Sequence, residues 1–366
     1  MTIFEYIDKY GDKTFNEKPI NEVDSVLFSF LSYVNLNKIN FRDKMTINEA
    51  AKQFENKYKE KKNIIAERDA VKLLLYIKDK KRYKDCILFN YEYKANNEFQ
   101  FGVVSIEYLK NKVYISYEGT DELISSWYED LLLSYVYPTT AQTLAIKYLK
   151  KYTFTNKELI LGGHSKGGNI ALVAGMNSNI VLKRKIRKIY SMDGPGLLPK
   201  IFNSKKYQNI ENKFVHIVPE NSIVGMILEN SNNYVVKTNI EGILAHDILY
   251  WDITDDYFTI TKLSTFSKTF KKNLNNYIYK IDDRDLKKVI NNLNKVCNNV
   301  GLKTILDVKI GNDTIIKLIK EISHIKDDSR KLALGLLEVL IKSLSKTISL
   351  KVQDKIDKVK NGFRIK

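Results

Sequence analysis

An α/β fold, with a mostly parallel central sheet flanked by helices and helical additions at both ends, is predicted by three features of the sequence. Short runs rich in aromatic and β-branched residues fill the stretch from residue 86 to residue 117. From residue 139 to about 218, strand-like and helix-like segments alternate, the pattern of parallel strands joined by crossover helices. Outside that region the apolar residues recur at helical spacing.

The elements follow in chain order. Residues 21–34 place Val23, Val26, Leu27, Phe30, Leu31 and Val34 at helical spacing behind Asn21 as a cap. A second helical run covers residues 47–77. Strands are expected at 86–93, 99–108 and 113–117, separated by turns at Asn96-Asn97 and Lys110-Asn111-Lys112, as an antiparallel meander. A helix capped by Thr139 or Thr140 leads to a strand at 158–161, a helix at 166–177, and strands at 186–192 and 213–218. From about residue 259 only amphipathic helices are expected, broken near Asp282-Asp283, Gly301, Gly311-Asn312 and Asp327-Asp328. The clearest carries Leu332, Leu336, Leu337, Leu340, Ile341, Leu344 and Ile348 on one face. The expected division is a helical segment or cap over 1–80, an α/β core over 81–258 and a helical region over 259–366.

Composition narrows the class. The chain has 366 residues, 44% hydrophobic and 28% charged, which suits a folded globular protein and not a disordered one. Its formal net charge of +17 is spread along the chain among many Asn and Ile residues, which reads as compositional bias more than as a built groove; of the polyanionic partners, an anionic membrane surface is the one it would suit, and no nucleic-acid motif is present. Two distant cysteines, Cys86 and Cys297, lack metal-ligand spacing. With no secretory signal pattern and no membrane-length apolar run, a cytoplasmic protein is expected.

The strongest chemical signal is Leu159-Ile160-Leu161-Gly162-Gly163-His164-Ser165-Lys166-Gly167-Gly168-Asn169. It holds G-x-S-x-G between an apolar strand and an Ala/Leu/Val helix, the strand-turn-helix setting of a nucleophile elbow. Small flanking residues let the turn pass between strand and helix, and the helix start offers unpaired N–H groups to an anion. This makes Ser165 the candidate nucleophile and the Lys166 backbone N–H a first oxyanion donor. Glu118-Gly119-Thr120-Asp121, after the third meander strand, offers Thr120 as a second. A glycine turn serving only packing or phosphate binding is the structural alternative.

Four histidines limit the search for a general base. His164 adjoins the serine as a packing residue, His216 lies in a strand and His324 in the tail. His246, in a polar break after the strands, is the candidate, in the chain order serine, acid, histidine. Two strand ends offer the acid: Asp193 in Asp193-Gly194-Pro195-Gly196, which the rigid turn favours, and Glu220 in Pro219-Glu220-Asn221-Ser222. Asp247 reads as local scaffolding.

With these residues in place the chain resembles the Mbeg-like family of lipase-related α/β-hydrolases. The resemblance rests on Asn21-Glu22-Val23-Asp24, Glu118-Gly119-Thr120-Asp121, Ser126-Trp127-Tyr128-Glu129-Asp130, the elbow, Tyr190-Ser191-Met192-Asp193-Gly194-Pro195-Gly196, Ser222-Ile223-Val224-Gly225-Met226 and His246-Asp247. That family is in turn similar to the class 3 lipases. Tyr117-Glu118 stands where those have Phe-Arg, and Ser222 stands where they carry their acid. The resemblance implies hydrolysis of a carboxylic or thio ester, of a small molecule or a lipid, without metal or organic cofactor. The competing expectation is a catalytically inactive hydrolase-fold module that binds lipid or protein.

Overall fold

The computed structural model describes residues 1–57, 65–96, 99–120, 129–231, 233–240, 242–302 and 312–344, with residues 356, 358 and 359. The chain divides into two compact units, Met1–Asp121 with Pro138–Ser264, and Glu122–Tyr137 with Thr265–Lys366.

In the first unit, α1 (Ile3–Tyr10), α2 (Glu22–Phe30), α3 (Ile47–Lys57) and α4 (Ile65–Ile77) precede most of an eight-stranded sheet. Its strands are β1 (Lys44–Thr46), β2 (Ile87–Ala95), β3 (Gln100–Leu109), β4 (Lys112–Tyr117), β5 (Glu158–His164), β6 (Ile186–Met192), β7 (Phe214–Pro219) and β8 (Asn233–Val236), paired in that order. Pairing is antiparallel from β1 to β4 and parallel from β4 to β8. The meander and the parallel half lie where the strand patterns predict.

Sequential strand order has a consequence for the layers. Right-handed crossovers between successive parallel neighbours send their helices to one face. There α5 (Thr140–Leu149) and α6 (Lys166–Met176) pack on each other, and Gly175 of α6 lies against Leu161 and Ile189. The opposite face, which carries Tyr114, Ile160 and Tyr190, needs another cover. It is α2, packed across β4, β5 and β6. The Tyr114 hydroxyl meets Ser29 Oγ at 2.7 Å and donates to the Ser25 carbonyl at 2.9 Å. Asn21 and Asp24 form a capping box that starts this helix.

The first 80 residues therefore share one core with the sheet: Ile3, Val26 and Leu74 belong to the same apolar cluster as Leu88, Ile106, Ile160 and Met192. The helical run expected over 47–77 holds α3 and α4, with 58–64 outside the described residues. Several elements went unexpected, among them β1 and the short helix at Ile180–Lys185. α1 opens on a capping box of Thr2 and Glu5, and β8 has only four residues, too few for a period to stand out.

After α7 (Ile180–Lys185), the remaining long helices form the second unit: α8 (Thr265–Ile278), α9 (Asp283–Val300), α10 (Asn312–Ser323) and α11 (Ser329–Leu344). Gly301 ends α9 in a left-handed conformation, φ 78°. Of the expected stripe on α11, Leu336 is buried and Leu332 and Leu337 are half-buried; Ala333 and Leu334 are buried as well. Tyr277 of α8 lies with its hydroxyl over Gly335 and donates to the Leu332 carbonyl. Ile348 falls outside the described residues. No described helix is long and apolar enough to cross a membrane.

Candidate functional site

The site is built at the carboxyl end of β5. Ser165 stands between β5 and α6 with φ 56° and ψ −134°, a conformation that costs an L-residue about 1–3 kcal/mol. Surrounding contacts hold it there: the Ser165 N–H donates to the Met192 carbonyl at 2.9 Å, and the flanking glycines admit no side chain. A Cβ on Gly163 would lie 2.3 Å from the carbonyl carbon of Gly167, and one on Gly167 would lie 2.1 Å from the Tyr117 carbonyl oxygen. Backbone cannot yield as a side chain can, so Gly167→Ala is expected to destabilise the protein by about 1–3 kcal/mol. A shift of the urea midpoint at unchanged slope would register it.

Asp193 directly follows β6, also in a left-handed conformation at φ 49°. Its N–H donates to the Ile217 carbonyl at 2.7 Å, and its carboxylate is fully buried. Oδ2 lies 2.7 Å from His246 Nδ1. Oδ1 accepts from the Ser222 hydroxyl at 2.5 Å and from the Gly225 N–H at 3.1 Å. Both oxygens are thus engaged, and Ser222 supports an acid contributed by the neighbouring strand end. Glu220 is placed differently: Oε1 accepts from the Thr238 backbone N–H at 3.2 Å, tying the end of β7 to the chain beyond β8. Of the two sequence candidates, Asp193 is the one brought to the histidine.

His246 closes a 3₁₀ turn, Gly242–His246. Buried Trp251 donates its indole N–H to the Ala245 carbonyl at 3.0 Å, and Asp247 caps the following turn through the Leu249 N–H at 2.9 Å. Leu244 and Tyr250, on either side of His246 in sequence, are exposed. The His246 ring packs against that of His164, 4.3 Å between centroids and tilted by 35°. Among the described residues the Ser165 hydroxyl makes no hydrogen bond.

The candidate oxyanion loop follows β4. Gly119 passes so close to the elbow that a Cβ there would lie 2.3 Å from the His164 carbonyl oxygen and 3.1 Å from Ser165 Cβ. Thr120 is buried, and its Oγ1 finds no hydrogen-bond partner among the described residues. Lys166, at the head of α6, is buried along its whole length and donates from Nζ to the Gln100 carbonyl at 3.2 Å. Gln100 in turn donates to Glu118 Oε1 at 3.0 Å, beside Gly119. The Asp121 and 126–128 parts of the family resemblance lie outside the described residues.

Several participants carry no local signature. Asn169 of α6 donates to the Gly196 carbonyl at 2.7 Å, and His216 Nε2 meets the Gly194 carbonyl at 2.9 Å, so both brace the turn behind Asp193. Ser222 and Tyr33 join only through space. His164 does more than the packing expected of it. Its Nδ1 lies 2.9 Å from the Tyr33 hydroxyl and its Nε2 lies 2.9 Å from the His246 carbonyl oxygen. Burial, reinforced by the neighbouring His246, holds its pKa well below the ordinary histidine value.

The sheet, its crossover helices and the covering N-terminal layer define an α/β-hydrolase fold. The chain belongs to the Mbeg1-like family, whose model matches residues 77–295. It is similar to a solved structure titled as the crystal structure of M37 lipase, with 14% sequence identity and a TM-score of 0.32, over 57% of this chain and 70% of that one. No curated protein matches it.

Proposed function

We propose that the protein is a serine hydrolase that cleaves a carboxylic or thio ester through an acyl-enzyme. The observation that carries this reading is the 2.7 Å contact of buried Asp193 with His246, on the same sheet edge as Ser165 in its left-handed turn. A carboxylate on Nδ1 fixes the tautomer whose Nε2 can accept a proton.

In the proposed reaction Ser165 Oγ attacks the ester carbonyl carbon while its proton passes to His246 Nε2. The tetrahedral oxyanion is held by Thr120 and the Lys166 N–H. Collapse breaks the carbon–oxygen or carbon–sulfur bond, and the leaving group takes the proton from His246. Water then repeats the sequence on the acyl-enzyme and returns free Ser165. No metal or organic cofactor is required. Exposed Leu244 and Tyr250 beside His246 favour a substrate with an apolar acyl part, and the net charge of +17 would draw the protein to anionic membrane surfaces, where lipid esters are found.

Fluorophosphonate labelling read by intact mass tests the reading, because the probe reports an activated serine whatever the substrate. The wild type is expected to gain one adduct and Ser165→Ala none. Folded wild-type protein without an adduct, or an adduct that survives in Ser165→Ala, would overturn it.

A further inference from the structure

Three elements distant in sequence meet at the His164 ring: the turn after α2, the elbow itself and the His246 turn. The carbonyl oxygen of His246 can only accept, so the contact at 2.9 Å puts the proton on His164 Nε2. In the neutral ring Nδ1 is then an acceptor, and the Tyr33 hydroxyl, 2.9 Å away, is its donor. Tyr33 also reaches the third corner of the site, since a Cβ on Gly119 would lie 2.2 Å from its hydroxyl oxygen. Phe30 closes the remaining side with its ring 6.0 Å from that of His164.

We infer that Tyr33 and His164 are positioning residues: a directed pair of hydrogen bonds, Tyr33 hydroxyl to His164 and His164 to the His246 backbone, holds the His246 turn in register with the elbow and with Gly119-Thr120. The inference rests on the serine-hydrolase reading and adds to it a role for the N-terminal layer, because Tyr33 lies before the stretch that the family model covers. The physical need is plain. His246 sits on a short 3₁₀ turn with exposed neighbours, and Asp193 restrains only its ring. Trp251 ties the turn to its own following segment at the Ala245 carbonyl, and the bond to the His246 carbonyl is the one that fastens its backbone to the residue preceding Ser165. The bond from Tyr33 in turn fixes the His164 ring plane, and burial keeps the ring neutral and its donor direction constant.

The test is the rate constant of fluorophosphonate labelling, with the final adduct amplitude counting correctly folded sites. Asparagine at 164 can present an acceptor where Nδ1 stood but cannot reach the His246 carbonyl, whereas glutamine can carry an N–H to where Nε2 stood. His164→Asn is expected to label about 10- to 100-fold more slowly at full amplitude. His164→Gln should recover most of that loss, and Tyr33→Phe, which removes one oxygen atom, should slow labelling about 3- to 10-fold. A merely structural role would lower the amplitude and leave the rate constant unchanged. His164→Asn labelling as fast as wild type, or His164→Gln remaining as slow as His164→Asn, would overturn the inference while leaving the hydrolase reading intact. If His164→Asn folds poorly, Tyr33→Phe decides, and an unchanged rate there overturns it. A wild type that takes no adduct overturns the hydrolase reading and this inference together.

Discussion

Exchanging Asp193 for asparagine is expected to slow ester cleavage by about 10⁴-fold. The side chain keeps its shape, so the buried cavity, the Ser222 contact and the turn behind it should survive. What changes is the group facing His246. A carboxylate oxygen at 2.7 Å accepts from Nδ1 and leaves Nε2 free to take the serine proton. An amide that turns its NH₂ toward Nδ1 reverses that tautomer. Because Oδ1 already has the Ser222 hydroxyl and the Gly225 N–H as donors, the amide is driven to place its carbonyl there and its NH₂ toward the histidine. Glu220→Gln is the control. Its carbonyl can accept from the Thr238 N–H just as Oε1 does, so turnover close to wild type is expected. Steady-state hydrolysis of a chromogenic ester by the two variants separates them. Equal rates for Asp193→Asn and wild type would remove Asp193 from the mechanism.

Asp24→Ala should cost about 3–5 kcal/mol of stability, the penalty for stranding a buried charge. Asp24 and Arg82 are both fully buried and paired, with Arg82 Nη2 at 2.5 Å from Oδ2 and Nε at 2.9 Å from Oδ1. Tyr83 donates to the same carboxylate at 2.8 Å, and the Arg82 guanidinium lies 4.0 Å from the centre of the Phe15 ring. Replacing a buried ion pair by apolar residues is often harmless, but this one has further duties. Arg82 also donates to the carbonyls of Lys13, Thr14, Lys18 and Pro19. Arg82→Met would leave those acceptors unmet, so the double variant Asp24→Ala with Arg82→Met should be no more stable than Asp24→Ala alone. Urea unfolding of the three variants measures this, and a double variant restored to wild-type stability would contradict it.

This pair shows where sequence reading stops. Asn21-Glu22-Val23-Asp24 reads as a helix start, and α2 begins there with Asn21 and Asp24 in a capping box. Nothing local says that Asp24 also anchors an arginine 58 positions away. The layer was similarly hidden: residues 1–80 read only as a helical segment or cap, and nothing local says that their helices cover the sheet face that the crossovers leave open. β8 was missed because four residues carry too little pattern.

The elbow was legible because its causes lie within one short segment. Strand, glycine, serine, glycine and helix are covalent neighbours, and the steric demands that select them act over a few ångströms along the chain. The meander, and the alternation of strands and helices that follows it, were determined in the same way, by spacing alone, whereas the order of the strands in the sheet came from the structure. The choice between Asp193 and Glu220 was not, since both end strands in a similar turn and both are carboxylates. Only the packed structure tells them apart, by bringing the His246 turn to Asp193 and the Thr238 backbone to Glu220. Ser222, Tyr33 and the bridging role of His164 belong to the same category. A hydrogen bond needs a partner at about 3 Å in a defined direction, and that condition depends on how distant segments pack, which local periodicity does not encode.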